Sequence, residues 1–321
     1  MSRKSIQKSL VNEINRAVGR EDKVSAVSFV DAIDTFINNG EIKGLSERTL
    51  FTYNHELKRL NLHFIKNGVD TSDILNIRES HYEQFVTDLL KAGYARTTIG
   101  MRLQTAKILG NFCVRKGYIP KNYAAEVPSL KVRKKVGDTF TKSQLKRILA
   151  SPDVTTFEGL RDLTMMLVFS DTGIRLSELQ AIKIKDIVFS DNALNVQRTK
   201  NGYARRIPLT KRLGDVLRLY LQVRGVEDAN DLLFVKSDNT GISQVTIQFQ
   251  IREHGRRSGV IKQVQCSPHV FRRTFAKFKI QAGVDIFTLQ ALMGHSDIGE
   301  LRNYVAVYST DLDAAIEKGI D

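Results

Sequence analysis

Six side chains in the second half of this chain have the types needed to work on a phosphate. Arg175 follows a glycine in "DTGIRLSELQAI", where a guanidinium can offer a bidentate fork to an anion. Glu178, three residues on, offers the plainer alternative of an ion pair on the same turn. Lys200 in "RTKNGYARRIPL" precedes Asn201-Gly202, the strongest short hairpin signal, so it either sits solvated at a turn or reaches into a cleft from a hairpin tip. His269 and Arg272 in "SPHVFRRTFA" lie three apart on one helix face. Ser267 is placed to cap that helix and Pro268 suits its first turn, so both side chains project near an N-terminus, where anions bind. The capping or core histidine is the ordinary alternative. The last piece is "LMGHSDIGELRNYVAVYS", with His295 after a helix-ending glycine and tyrosines at 304 and 308. Asp297 and Glu300 have capping-box spacing, which starts a new helix that carries Tyr304.

These residues need elements to hold them. Of 321 residues, 42% are hydrophobic, enough for roughly two domains with cores of their own. The chain reads as mainly α with a small antiparallel β-sheet in the C-terminal domain. Residues 1–26 form an N-terminal extension. Residues 27–126 form a helical domain of four or five helices, broken at "NNGEIKGLSERTL", "KNGVDTSD", "KAGYARTT" and "KGYIPKN". Residues 127–138, "VPSLKVRKKVGD", carry a proline and four basic residues and read as a basic interdomain linker. Residues 139–321 form the second domain. There "GLRDLTMMLVFSDTG" is apolar enough for a buried helix. "IVFSDNALNVQRTKNGYARRIPL" then switches to alternation over short runs, as three antiparallel strands would.

Forty-nine Lys and Arg against 35 Asp and Glu give a net charge of +14, the footprint of a protein that meets a polyanion. In the first domain, "TTIGMRLQTAKILGNFCVRKG" has an apolar stripe of Ile99, Leu103, Ala106, Leu109 and Phe112. Its opposite face offers Gln104, Lys107, Asn111 and Arg115, with Arg96 just before it, for base edges or phosphates in a major groove. A solvated polar face is the alternative. Lys131, Arg133, Lys134 and Lys135 of the linker suit a path along a phosphate backbone, with a solvated charged loop as the alternative.

Other classes are excluded. No apolar run is long enough to span a bilayer, and the basic N-terminus lacks the apolar core of a secretory signal. Two cysteines, Cys113 and Cys266, make no disulfide framework and suit a reducing cytoplasm. His254, His269 and His295 lack metal-site spacing, so no metal is expected, and no Gly-rich nucleotide fingerprint calls for a cofactor.

The order Arg, Lys, His-x-x-Arg, His, Tyr resembles the tyrosine recombinase, or phage integrase, family. The resemblance is carried by "TGIRLSEL", "TKNGYARRIPL", "SPHVFRRTFA" and "MGHSDIGELRNY" and extends over nearly the whole chain. It implies a C-shaped two-domain clamp on duplex DNA, with a helical core-binding domain ahead of the catalytic one. It places Arg175, Lys200, His269, Arg272 and His295 around a phosphate and makes Tyr304, not Tyr308, the nucleophile. It further implies site-specific recombination of double-stranded DNA, as in integration, excision or resolution of a mobile element. The expected assembly is a homotetramer exchanging C-terminal tails, with accessory DNA-bending proteins as further partners; here the tail stripe would be Leu312, Ala315, Ile316 and Ile320. Two departures stand out: Glu300-Leu301 replace a common Thr-Thr, and "VAVYS" lacks a histidine often found after the tyrosine. The alternatives are a type IB topoisomerase-like relaxing enzyme, which uses nearly the same residues, and a non-catalytic sequence-specific DNA-binding regulator.

Overall fold

A computed structural model of the chain describes residues 26–131, 137–197 and 204–294. The chain divides into two compact units, Met1–Lys134 and Lys135–Asp321. No helix among the described residues is long and apolar enough to cross a membrane.

The first unit is helical. It runs α1 (Phe29–Ile42), α2 (Glu47–Lys66), a 3₁₀ turn (Ile74–Asn76), α3 (Glu79–Lys91), α4 (Arg96–Arg115) and a short α5 (Tyr123–Glu126). Serines start the first two helices: Ser28 accepts from the Asp31 N–H at 3.0 Å and Ser46 from the Thr49 N–H at 3.3 Å. Helical spacing brings Leu57, Leu60 and Phe64 of α2 onto one buried face. Phe64 meets Phe29 edge-on at 5.5 Å between ring centres, and Phe36 meets Phe112 at 5.4 Å. All five residues of the expected α4 stripe, from Ile99 to Phe112, are buried in this core.

The second unit is built around α7. Its helices among the described residues are α6 (Lys142–Leu149), α7 (Phe157–Thr172), α8 (Leu176–Ala181), α9 (Lys211–Arg224), α10 (Gln244–Arg257), α11 (Pro268–Gln281) and α12 (Ile286–Met293). Between α8 and α9 lies the expected three-stranded antiparallel sheet, β1 (Ile187–Val188), β2 (Ala193–Val196) and β3 (Arg205–Pro208), in the order β1-β2-β3. Leu194 pairs with Ile207 and Val196 with Arg205, so alternation sends Ile207 and Arg205 inward and leaves Arg206 and Pro208 outside. Residues Met165 to Phe169 of α7 are all buried, as suits a helix covered on every side. The rings of Phe140, Phe169 and Phe271 complete that core.

A charged network is folded into this core. The Asp162 carboxylate accepts from Arg161 Nε and Nη2 at 3.0 and 2.8 Å, and its other oxygen lies 3.1 Å from His254 Nε2. The far nitrogen of His254 meets the Ser151 hydroxyl at 3.1 Å, while Arg161 Nη1 donates to the Val235 carbonyl. His254 is thus a core histidine that ties α10 to α7 and to the end of α6. Asp162→Ala would strand a buried guanidinium and a buried imidazole, and is expected to cost about 3–5 kcal/mol. Urea unfolding checks this; a loss under about 1 kcal/mol would mean that the network is dispensable.

Candidate active site

Helix α7 ends on Gly173, which takes a left-handed conformation at φ 62°. A side chain there would meet the Phe275 ring at 2.4 Å, so backbone angle and packing both require glycine. Ile174 is then buried, and Arg175 stands in extended backbone as the residue before α8. Glu178 turns its carboxylate back to accept the Arg175 N–H at 2.9 Å and the Arg175 guanidinium at 3.1 Å. The pairing weighed from the sequence is therefore made. Glu178 also takes two bonds from Arg205 of β3, at 3.0 and 2.8 Å, and its side chain has no exposed surface. Burial alone would raise the pKa of Glu178. The Arg205 hydrogen bonds, the Arg175 N–H and the two guanidinium charges outweigh burial and hold it below the usual value.

The second part of the site comes from α11. Ser267 caps it, accepting from the Val270 N–H, and Pro268 occupies its first turn, as expected. His269 is exposed on that turn. Arg272, one turn in, is buried and donates to the Gly173 carbonyl and, at 2.9 Å, to the Met293 carbonyl.

The third part is the end of α12. Asp285 caps its start by accepting from the Phe287 and Thr288 N–H groups, both at 2.9 Å. Gly294 closes it at φ 62°. Carbonyls at a helix end lack partners within the helix and form the negative end of its dipole. Here each of three successive carbonyls takes a different arginine: Leu292 accepts Arg205 Nε at 2.9 Å, Met293 accepts Arg272, and Gly294 accepts Arg175 Nη2 at 2.7 Å. Among the described residues, three guanidinium groups against one carboxylate leave a net positive centre. The Arg175 side chain, 34% exposed, keeps part of its surface open to solvent. Such a centre can hold an oxyanion through charge-assisted bonds.

Of the six candidate catalytic residues, the structure brings Arg175 and Arg272 to this centre and places His269 on the first turn of the helix that carries Arg272. Lys200, His295 and Tyr304 lie outside the described residues, although α12 leads directly into His295. Arg205 went unnoticed in the sequence. The signal was available, because strand alternation puts it on the same face as Ile207. In the first unit, Arg96, Gln104, Asn111, Arg115 and Lys131 are exposed, and Arg133, Lys134 and Lys135 lie outside the described residues. Lys107 is half-buried, with its ammonium donating to the Val127 carbonyl at 2.8 Å; Asn111 accepts from Asn122 at 2.9 Å.

Comparison with known proteins follows the same lines. Residues 138–310 match the phage integrase family, and residues 40–117 match the phage integrase N-terminal SAM-like domain. Tyrosine recombinase XerA of Pyrococcus horikoshii is 28% identical over 293 residues, which cover 90% of this chain and 93% of that protein. Tyrosine recombinase XerD of Staphylococcus haemolyticus is 26% identical over 274 residues, covering 84% of this chain and 91% of its own length. The fold is shared with a Tn1549 transposon integrase solved with a circular-intermediate DNA (TM-score 0.76, 17% identity, 91% of this chain and 99% of that one). It is shared also with a lambda integrase tetramer solved on a Holliday junction (TM-score 0.71, 18% identity, 95% and 87%). With its second unit matched almost throughout and its helical unit matched to the accompanying domain, the chain belongs to the phage integrase family of tyrosine recombinases.

Proposed function

We propose that the chain is a site-specific DNA recombinase that cuts and rejoins strands through a 3′-phosphotyrosine bond to Tyr304. The observation that carries this reading is the meeting of Arg175 and Arg272, far apart in sequence, on the helix end that leads to His295 and Tyr304. A DNA phosphodiester is attacked extremely slowly in water, so the transition state must be strongly stabilised. Arg175 and Arg272 bind the non-bridging oxygens, where charge builds as the phosphorus becomes five-coordinate. A tyrosine phenol ordinarily loses its proton only at about pH 10, so Tyr304 needs help to act as a nucleophile. His269 assists that loss or bonds a phosphate oxygen, and His295 bonds another. The phenolic oxygen forms the new P–O bond as the bond to the 5′ oxygen breaks, and Lys200 supplies the proton that oxygen needs. The phosphotyrosine keeps the energy of the broken bond. Attack by another 5′ hydroxyl reverses the step, with no call for a nucleotide or a divalent cation.

Duplex DNA would be held by the helical domain (27–126), the basic linker (127–138) and the catalytic domain (139–321). Exposed Arg96, Gln104, Asn111 and Arg115 on α4 suit groove and phosphate contacts, and the net charge of +14 suits a polyanion. Lys107 serves the fold of its own unit instead. A tetramer that exchanges C-terminal tails completes the reading. Its support is an apolar groove on the second unit, lined by Leu145, Leu149, Leu163, Leu167 and Val216 and edged by Lys146 and Arg212. The segment after Thr310 carries Leu312, Ala315 and Ile316 among Asp311, Asp313 and Glu317, complementary to that groove in both polarity and charge.

Footprinting of the purified protein on DNA neighbouring its gene identifies the binding site, and a nicked duplex of that site then traps cleavage. Tyr304→Phe should bind this duplex and form no covalent adduct, while Tyr308→Phe should form one; an adduct from the first variant rejects the assignment. Arg115→Ala should weaken binding similarly across sequences and lower the salt slope by about 1, whereas Lys107→Ala should lower the melting temperature. Titrations at several salt concentrations separate the two. Truncation after Thr310 should weaken pairing of two sites in a gel assay and leave single-site affinity nearly intact. Equal loss of both would remove the support for tail exchange.

A further inference from the structure

Arg205 takes no part in the phosphate chemistry described above, yet its whole guanidinium edge is engaged. Nη1 and Nη2 bind the two oxygens of Glu178, and Nε binds the Leu292 carbonyl. Its side chain is 9% exposed, against 34% for Arg175. We propose that Arg205 is a positioning residue, which fixes the Arg175 guanidinium through the shared Glu178 carboxylate and fixes the end of α12 at the same time. The proposal rests on the catalytic reading of Arg175.

The carboxylate is the hinge of the case. An ionised Glu has about four acceptor positions. Glu178 Oε1 accepts from Arg175 Nη1 and Arg205 Nη1, and Oε2 accepts from the Arg175 N–H and Arg205 Nη2. All four are filled, so the carboxylate cannot rotate without breaking bonds, and Arg205 supplies two of them. A carboxylate with no exposed surface is costly unless it is paired and hydrogen-bonded. Remove Arg205, and Glu178 keeps a single guanidinium partner, which it shares with the Gly294 carbonyl.

The backbone is shaped around the same contact. A side chain on Gly294 would come within 2.6 Å of Arg205 Nη1 and 2.9 Å of its Cζ, so only glycine lets that guanidinium lie against the helix end. Pairing of Arg205 with Val196 in the β2–β3 ladder anchors the stem of the side chain. Three points in fixed geometry, two carboxylate oxygens and a carbonyl, match the planar fork of arginine; an ammonium cannot reproduce them. Direct binding of a phosphate by Arg205 is disfavoured by its burial and by these bonds.

The test uses the full chain with Arg205→Gln, Arg205→Lys, Glu178→Gln and the Arg205→Gln/Glu178→Gln double variant. On the footprinted duplex, Arg205→Gln should keep affinity within about threefold and slow single-turnover adduct formation about 100-fold. Arg205→Lys retains charge and stem, should melt near the wild-type temperature, and should still slow the adduct at least about tenfold. In the Glu178→Gln background, adding Arg205→Gln should cost clearly less than it does in wild type, because the route through the carboxylate is already lost and only the bond to the Leu292 carbonyl remains to be removed. An adduct rate within about threefold of wild type, a fall in affinity as steep as the fall in rate, or losses that multiply would each overturn the proposal. Crystal structures of wild type and Arg205→Gln form an arm that is independent of DNA: the Arg175 guanidinium should leave the Gly294 carbonyl. If the wild-type chain made no adduct, the nucleophile reading would fall, and this arm alone would decide. Arg175 unmoved rejects the positioning role, and Arg175 displaced upholds it.

Discussion

Carbonyl groups at the end of a helix need donors from elsewhere, and at the end of α12 those donors are three arginines. Arg205 comes from a β-strand, Arg272 from the helix before, and Arg175 from the turn after α7. Elements distant in sequence are thereby drawn to one point. The carbonyl dipoles do two things there. They satisfy guanidinium donors that burial would otherwise strand, and they lower the energy of gathering like charges. The buried carboxylate of Glu178 completes the balance. Without it, Arg175 and Arg205 would repel at close range in a medium that screens poorly.

The arrangement suits a site that must be ready before its substrate arrives. Donors aimed in advance at developing charge stabilise a transition state without reorganising as it forms. That requires a rigid base, and α7 supplies one. It is buried over most of its circumference, and the Arg161–Asp162–His254 network fixes it to α10. The glycine that caps it, Gly173, lends a carbonyl to Arg272. Packing of the core and placement of the proposed anion site therefore share a helix.

Local signals showed where the elements are. Serine and proline at the start of α11, glycine after α7 and α12, and the α4 stripe all act through bonds or contacts a few residues away, and each stands where the pattern put it. Strand alternation and the Asn201-Gly202 pair suggested the small sheet, and its three strands are present. Pairings across the chain were less legible. The bond between Glu178 and Arg175 lay within one turn and was open to view. The bidentate bond from Arg205 to the same carboxylate spans 27 residues, and no periodicity announces it. Lys107 shows the converse limit. It sits on the polar face of α4, yet the Val127 carbonyl takes its ammonium, because the chain after α5 folds back over that side.

The contrast between Lys107 and Arg205 says what a cation in a basic chain is worth. Both are partly or wholly covered, and both bind backbone carbonyls. Lys107 carries a point charge on a flexible stem and ties one loop to one helix. Arg205 carries a planar fork, so it binds a carboxylate at two points and a helix end at a third, and each contact restrains the others. Net charge brings a protein to DNA but leaves the geometry of the encounter open. Geometry comes from arginines whose directions are fixed by buried acceptors, and in this chain the acceptors are Glu178 and the last carbonyls of α12.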